Sequence, residues 1–219
     1  MGVLISGGGR TLMNLHRLIQ AGQLNAQVAV VVASRPCKGA ELARQSGLDV
    51  HVVSCKKAKD AQDYSKQITR LLSRAGAELV VMAGFLSMWV IPPEFAGRVI
   101  NIHPALLPGF GGHGMYGLRV HQAVLEAGCK VTGCTVHFVT NEYDRGPIIL
   151  QRAVPVLEED TPETLADRVF QQECIAMPEA VALYATGRLR IEGDRVRVLE
   201  PHQGTESQPA GSQRPAKTG

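Results

Sequence analysis

A short strand that ends in a proline is encoded by the stretch Val99-Ile100-Asn101-Ile102-His103-Pro104. Side chains alternate between the two faces of a strand, so Asn101 and His103 are expected on one face and the two isoleucines on the other. Pro104 ends the ladder because it has no backbone N–H. The stretch therefore places an amide and an imidazole side by side at a strand's carboxyl end. Ligands of open α/β sheets bind outside that end, although a strand edge facing water is the alternative interpretation.

The segments on both sides of this strand alternate between strand and helix patterns. Strands are predicted at residues 3–6, 26–33, 50–53, 79–83, 131–139 and 148–154, with a terminal hairpin formed by 189–191 and 196–198. Helices are predicted at residues 12–19, 39–45, 60–75 and 118–127, and a long one at 162–185. This order predicts an α/β fold with a doubly wound, mostly parallel sheet, C-terminal antiparallel strands and a long helix. Residues 1–200 are expected to form a single domain, and residues 201–219, rich in Gln, Ser, Pro and Gly, a disordered tail.

Composition excludes several classes of protein. The net charge of +3 is small and its basic residues are scattered, so a nucleic-acid partner is not expected. No apolar run reaches the ~18 residues that span a bilayer, and no secretory leader opens the chain. The cysteines number 5 and lack C-x-x-C spacing, which favours reduced thiols over disulfides or a zinc site. We expect a cytoplasmic protein that acts on small molecules, with no membrane partner.

A glycine-rich loop lies between the first predicted strand and the first predicted helix, with the sequence Gly7-Gly8-Gly9-Arg10-Thr11. Backbone N–H groups at a helix N-terminus bind anions, and glycine lets a phosphate approach them closely. The loop is neither a Walker A motif nor a clean G-x-G-x-x-G. The second strand is followed by Ser34-Arg35-Pro36 and not by the acidic residue that a dinucleotide ribose needs. NAD is therefore disfavoured and a smaller phosphate ester favoured, with a plain tight turn as the alternative.

Two further segments are candidates for the same edge of the sheet. Large apolar side chains follow the strand at 79–83, in Gly84-Phe85-Leu86-Ser87-Met88-Trp89, and could form either core or the wall of a pocket for a flat heteroaromatic ligand. Asp144 lies in the polar loop 140–147 between two apolar strands. If that loop folds over the sheet's carboxyl edge, Asp144 reaches His103, stabilises its charged form and fixes its orientation. A solvated turn residue is the alternative interpretation of Asp144.

Three of these segments together resemble the folate-dependent formyltransferases: Asn101 to Pro108, Asp144 within residues 143–151, and Ser6-Gly7-Gly8-Gly9. The similarity runs from Val3 to about Leu199. It implies that family's fold, with a Rossmann-type half, and an enzyme that needs no metal. It also implies transfer of the formyl group of 10-formyltetrahydrofolate, a co-substrate, to the amine of phosphoribosylglycinamide in purine biosynthesis. A monomer or a homodimer is expected.

The resemblance also implies roles for individual residues. Asn101 and a protonated His103 would donate hydrogen bonds to the oxyanion of a tetrahedral intermediate. Asp144 would keep His103 charged and help to move the amine proton through an ordered water. The phosphorylated substrate is expected at Gly9, Arg10, Thr11 and Glu173. The folate is expected along Leu86, Ser87, Met88, Trp89, Asn101, Thr140, Asn141 and Glu142.

The chain departs from the better-known members of the family at several positions. Arg10 and Thr11 replace Ser and Asn, Ser87 replaces a basic residue, Cys174 replaces a His, and the loop 109–117 is several residues longer than usual. The activity therefore has alternatives: a formyltetrahydrofolate deformylase, which uses water as acceptor, or a formyltransferase acting on another phosphorylated amine. A methionyl-tRNA formyltransferase would need a basic C-terminal barrel, for which no room remains after Leu199. A non-catalytic nucleotide-binding module would keep the phosphate loop but would not need Asn101, His103 and Asp144 together.

Overall fold

The computed structural model describes residues 1–200, so the tail predicted at 201–219 lies outside the described residues. Within residues 1–200 the strands are β1 Gly2–Ile5, β2 Val30–Ala33, β3 Val50–Val52, β4 Val80–Met82, β5 Val99–His103, β6 Val131–Phe138, β7 Ile148–Pro155, β8 Leu189–Glu192 and β9 Arg195–Val198. The α-helices over the same residues are α1 Arg10–Gln20, α2 Lys38–Gln45, α3 Ala61–Arg74, α4 Leu118–Glu126 and α5 Pro162–Ala185. A short 3-10 helix, Pro93–Phe95, precedes β5.

The strands form one mixed sheet in the order β3-β2-β1-β4-β5-β6-β7-β9-β8. The first five strands run parallel to one another, whereas β6 pairs antiparallel with both β5 and β7. The predicted fold class, mostly parallel with C-terminal antiparallel strands and a long helix, is confirmed. Strand order reverses between β1 and β4, so a cleft is expected outside the carboxyl ends of these strands.

The length of β2 is the clearest difference from the predicted strand boundaries. The sequence predicts a strand over residues 26–33, but the ladder begins only at Val30. Val30 pairs with Gly2, the first residue of β1, so residues before Val30 have no β1 partner to extend the ladder. The start of a strand is therefore set by the length of its neighbour, which apolar patterning in the strand itself does not reveal.

Apolar residues cover both faces of the sheet. The larger cluster joins β1 through Val3 and Ile5 to α1, α5 and β6. The smaller cluster takes Leu4 from the same strand and packs it with α3 and with Trp89. This alternation is typical of a parallel strand buried on both faces. In the part of the chain that the structure describes, no helix is both long and apolar enough to cross a membrane.

The N-termini of the helices differ in how their free backbone N–H groups are capped. The Asp60 side chain accepts the Asp63 N–H before α3, and Thr161 and Thr164 form a capping box at the start of α5. Among the described residues, α1 has no side-chain cap and no acidic residue in its first turn, and its N-cap is Gly9 in the left-handed region. The N–H groups of its first turn therefore remain available to an anion.

Candidate active site

A cleft of about 700 Å³ lies at the carboxyl ends of β1, β4 and β5. Its walls come from the glycine loop 7–9, the loop after β4, the end of β5, the loop 109–117 and one face of α5. The volume is within the range of pockets that hold small molecules and cofactors. Asn101, His103 and Asp144 all line this cleft, at the edge that the sequence predicts.

His103 and Asp144 meet although 40 residues separate them along the chain. The Nδ1 atom of His103 is 3.5 Å from Asp144 Oδ2, and both side chains are largely buried. The same carboxylate oxygen accepts a hydrogen bond from the backbone N–H of Gly112 at 2.9 Å. Asp144 adopts a φ of 53°, a left-handed conformation that directs the loop back over the sheet. The carboxylate is therefore held against the imidazole from two sides.

The second ring nitrogen of His103 is also engaged. His103 Nε2 lies 2.8 Å from the backbone oxygen of Phe110. A carbonyl oxygen can only accept, so Nε2 carries hydrogen and donates it. In this structure both nitrogens of the imidazole contact the protein, and a substrate atom that takes a hydrogen bond from His103 must displace Phe110 or Asp144.

Asn101 is oriented by a residue on the neighbouring strand. Its Nδ2 atom is 3.1 Å from His137 Nε2, and His137 Nδ1 is 2.9 Å from its neighbour's backbone oxygen at Phe138. Nδ1 must donate to that carbonyl, which leaves Nε2 as the acceptor of an Asn101 hydrogen. Burial lowers the pKa of His137, although the nearby charge of Asp144 opposes the shift. A neutral His137 therefore fixes the Asn101 amide and leaves its second N–H hydrogen for the cleft.

The glycine loop brings Arg10 and Thr11 to the other end of the cleft. Gly9, Arg10 and Thr11 all line it, and the uncapped start of α1 lies there. The Arg10 guanidinium extends from α1 to α5, where Nη2 is 3.1 Å from Asp167 Oδ1 and Cζ is 3.7 Å from the centre of the Phe170 ring. The Arg10 guanidinium and the uncapped backbone N–H groups at the start of α1 together form a site suited to a phosphate.

Glu173 lines the cleft from α5. Burial raises the pKa of Glu173 to about 7, while the positive charge of Arg10 acts in the opposite direction. The described residues offer its carboxylate no hydrogen bond or ion pair. Such a group is poised to interact with a cation or hydrogen-bond donor supplied by a ligand.

All but one of the residues expected to bind folate line a second, narrower cavity of about 80 Å³, which Asp144 also lines. The loop 140–142 on one side of this cavity is joined to the segment after Trp89, because Asn141 Oδ1 accepts the backbone N–H of Ile91 at 2.9 Å. Trp89 is buried, packs against Phe95 at 5.7 Å between ring centres and donates its Nε1 hydrogen to Thr69. Within the segment 86–89, the exposed apolar side chains are instead Leu86 and Met88. Ser87, Met88, Trp89, Thr140, Asn141 and Glu142 line this cavity, and Leu86 lines the larger cleft.

Sequence reasoning missed three contributors to the site. His137 appears in the sequence only as a strand residue, and its role depends on the β5–β6 register that places it opposite Asn101. Phe110 contributes through its backbone oxygen, for which side-chain identity gives no signal. His121 lies buried on the cleft wall with no partner for Nδ1 among the described residues, and burial followed by the charge of His103 lowers its pKa. A histidine on the inward face of α4 was the available signal for His121.

Comparisons with known proteins agree with this geometry. Residues 1–181 match the family described as Formyl transferase. The chain is 39% identical over 209 residues to the chloroplastic phosphoribosylglycinamide formyltransferase of Arabidopsis thaliana, covering 93% of this chain and 71% of that relative. It superposes on the crystal structure of glycinamide ribonucleotide transformylase 1 from Symbiobacterium toebii with a TM-score of 0.84 at 41% identity, covering 91% of this chain and 93% of the other.

A more distant likeness extends to a different activity. A formyltetrahydrofolate deformylase from Pseudomonas syringae gives a TM-score of 0.79 at 24% identity, covering 91% of this chain and 65% of that one. At that identity the likeness shows the shared fold alone. The family match and the relatives above 30% identity lead to one conclusion: the chain belongs to the formyl transferase family.

Proposed function

We propose that the protein transfers the formyl group of 10-formyltetrahydrofolate to the amine of 5'-phosphoribosylglycinamide, a step of purine biosynthesis. The observation that carries the proposal is that Asn101 and Asp144 line both the larger cleft and the narrow cavity, with His103 beside Asp144 on the cleft side. Two substrates bound in these two spaces would meet at the three side chains. The names of the similar proteins from Arabidopsis thaliana and Symbiobacterium toebii support the same acceptor.

Formyl transfer requires hydrogen-bond donors that stabilise the formyl oxygen. When the amine attacks the formyl carbon, the formyl oxygen becomes negatively charged in a tetrahedral intermediate. Asn101 has a second N–H hydrogen that His137 does not use. Preorganised donors of this kind are typically worth ~3–4 kcal/mol each in the transition state. His103 becomes the second donor when the formyl oxygen replaces the Phe110 carbonyl as its acceptor.

Asp144 assists removal of the proton from the attacking amine. Its carboxylate stabilises a positively charged His103, from which it is 3.5 Å distant, and accepts the Gly112 N–H. An ordered water beside Asp144 would carry the amine proton to N10 of the folate once the new C–N bond has formed. The oxyanion then collapses to a carbonyl, the bond between N10 and the formyl carbon breaks, and tetrahydrofolate leaves. The carboxylate thus acts both on the charge of the imidazole and on the departing proton.

The substrate positions follow from the two cavities. The phosphate is assigned to Gly9, Arg10 and Thr11, and the glycinamide part to Glu173 on α5. The folate is assigned to the narrow cavity between the segments 87–89 and 140–142, next to Asn101, with Leu86 on the adjoining wall of the larger cleft. We further infer a monomer or a homodimer that works in the cytoplasm on small molecules, with no nucleic acid, membrane or metal in the reaction. Because the Arabidopsis relative is named as chloroplastic, cell fractionation is the test of the compartment.

The deciding experiment follows tetrahydrofolate release and formyl-glycinamide ribonucleotide formation by the purified protein. The proposal expects both products in equal amounts, and only when 10-formyltetrahydrofolate and glycinamide ribonucleotide are present together. Folate release that does not depend on the ribonucleotide would identify a deformylase. Formylation of a different phosphorylated amine, without any of glycinamide ribonucleotide, would keep the chemistry and replace the acceptor.

A further inference from the structure

Arg10 extends from the start of α1 across the rim of the cleft to α5. Its Nη2 is 3.1 Å from Asp167 Oδ1, in an ion pair whose side chains are 58% and 70% exposed. Its Cζ lies 3.7 Å from the centre of the Phe170 ring, close enough for a cation–π contact. Arg10 and Phe170 line the cleft, whereas Asp167 lies outside it. The guanidinium is therefore stacked at the rim and turned toward a carboxylate that does not face the ligand space.

The backbone of Arg10 has a different neighbour from its side chain. Arg10 is the first residue of α1, directly after the left-handed Gly9, so its N–H belongs to the uncapped helix start. An anion bound there would sit beside a guanidinium that has five N–H donors, of which Asp167 takes one. A phosphate offers three acceptor oxygens and more negative charge than one carboxylate.

These contacts set up a competition for Arg10. Exposed ion pairs contribute little to stability, so the Arg10–Asp167 bond breaks readily when a better acceptor arrives. The Phe170 contact does not require a counterion and can hold the guanidinium plane at the rim while its N–H groups change partner.

We propose that Phe170 and Asp167 are positioning residues that set the affinity for the substrate phosphate, Phe170 by holding the Arg10 guanidinium at the cleft rim and Asp167 by competing with the phosphate for it. This inference rests on the proposed function for the identity of the phosphorylated substrate. It adds that Asp167, which does not touch the substrate, keeps the affinity for the phosphorylated substrate below its possible maximum.

The test measures ribose 5-phosphate binding to the full-length protein by calorimetry, without any turnover. Asp167→Asn is expected to tighten binding roughly two- to fivefold, because it removes the competing carboxylate. Arg10→Ala is expected to weaken binding by about tenfold or more, since a charge-assisted hydrogen bond is lost. Phe170→Leu keeps the apolar bulk but not the ring face, and a loss of roughly two- to fivefold is expected.

The matched control is Glu163→Gln. Glu163 is an exposed carboxylate one helical turn before Asp167 on α5, and the described residues place it in no ion pair. The variant removes the same charge from the same helix without touching Arg10, so ribose 5-phosphate affinity is expected to stay at the wild-type value. A gain equal to that of Asp167→Asn would overturn the proposal in favour of a general effect of net charge.

A double substitution separates competition for Arg10 from direct repulsion of the phosphate. In an Arg10→Ala background, Asp167→Asn is expected to change ribose 5-phosphate affinity no further. A persisting gain there, or no gain from Asp167→Asn alone, would overturn the inference. In formyl transfer the Asp167→Asn effect is expected in KM for glycinamide ribonucleotide and not in kcat. If the protein binds ribose 5-phosphate in this pattern but does not formylate the ribonucleotide, the inference stands and the proposed function falls.

Discussion

His103, the catalytic donor that we propose, is held on both sides of its ring in the structure. Nε2 donates to the Phe110 carbonyl oxygen and Nδ1 faces Asp144, so the ring cannot rotate without losing a contact. Asp144 is fixed in turn by the Gly112 N–H and lies 3.7 Å from His137 Nε2. Catalytic donors are effective when they are oriented in advance, because no reorganisation is then needed in the transition state.

The role of Asp144 is tested by Asp144→Asn, which keeps the size of the side chain and removes its charge. We expect formyl transfer to fall roughly 100-fold or more at neutral pH, in line with the loss of a group that handles a proton. Binding of each substrate, measured by calorimetry, should change little because the contact surface is preserved. The control is Asp194→Asn, in the exposed turn between β8 and β9. Wild-type turnover in the Asp144 variant would reduce this residue to an ordinary turn residue.

The raised pKa of Glu173 predicts that the stability of the protein depends on pH. Burial raises the pKa of Glu173 to about 7 from an ordinary value of 4.5. Between these pH values the unfolded chain releases the proton and the folded chain keeps it, so the free energy of unfolding falls as pH rises. The loss is complete above about pH 7, where both states are ionised. Arg10 from α1 is the positive charge that limits the shift.

Glu173→Gln should remove this dependence. Relative to wild type, the free energy of unfolding of the variant is expected to be about 1–3 kcal/mol larger at pH 8 than at pH 5, so the variant is the more stable of the two at the higher pH. Urea unfolding at the two pH values measures the difference, with Glu163→Gln on the exposed face of the same helix as the control. Parallel pH dependence in Glu173→Gln and wild type would show that Glu173 ionises in the folded protein as it does in water.

At the scale of elements, the starts of α1 and α2 are packed together by two glycines. The Gly39 N–H donates to the Gly7 carbonyl oxygen at 2.9 Å. A Cβ atom on Gly39 would lie 2.8 Å from that oxygen and equally close to the Gly9 backbone. Gly9 itself has a φ of 73°, which favours glycine on conformational grounds as well. The glycine loop therefore needs small residues for its contact with the start of α2, in addition to the phosphate access that we propose for it.

Gly39→Ala tests this packing of α2 against the glycine loop. The added methyl group meets rigid backbone, so α2 must move away from the glycine loop, at a cost of about 1–3 kcal/mol in stability. Ribose 5-phosphate affinity should fall as well, since the loop that positions Arg10 is displaced. Gly8→Ala is the stability control, because a Cβ there meets no atom within 4 Å among the described residues. Equal unfolding midpoints for the two variants would refute the packing argument.

The elements also show what the sequence can and cannot predict. Helix α5 begins and ends where its pattern predicts, because Thr161 and Pro162 at its start are local signals. The pairing of His103 with Asp144 was foreseeable from a polar loop between apolar strands. The contact of Asn101 with His137 was not, because it depends on the register between β5 and β6. The burial of Trp89 was likewise hidden, since an apolar residue after a strand suits either core or pocket.

At the scale of the whole molecule, the two apolar clusters share strands and cannot separate. Val3 and Ile5 belong to the larger cluster and Leu4 to the smaller one, so a single strand supports both faces. The larger cluster also joins the parallel half to β6 and α5, which complete the site. The cleft residues thus come from both halves of the sheet and depend on the same core.

This shared core predicts that residues 1–200 unfold as one unit. The chain has 1 Trp, and Trp89 lies buried in the smaller cluster against Phe95, so its fluorescence reports on that face of the sheet. Far-UV circular dichroism reports on all helices and strands. We expect the two signals to give one coincident urea transition, as two-state unfolding requires. A chain ending at residue 200 should have the same midpoint, and its formyl transfer should match that of the full chain. Separate transitions for fluorescence and dichroism would instead mean that the two clusters are independent folding units, and a lower midpoint for the shortened chain would extend the folded domain beyond residue 200.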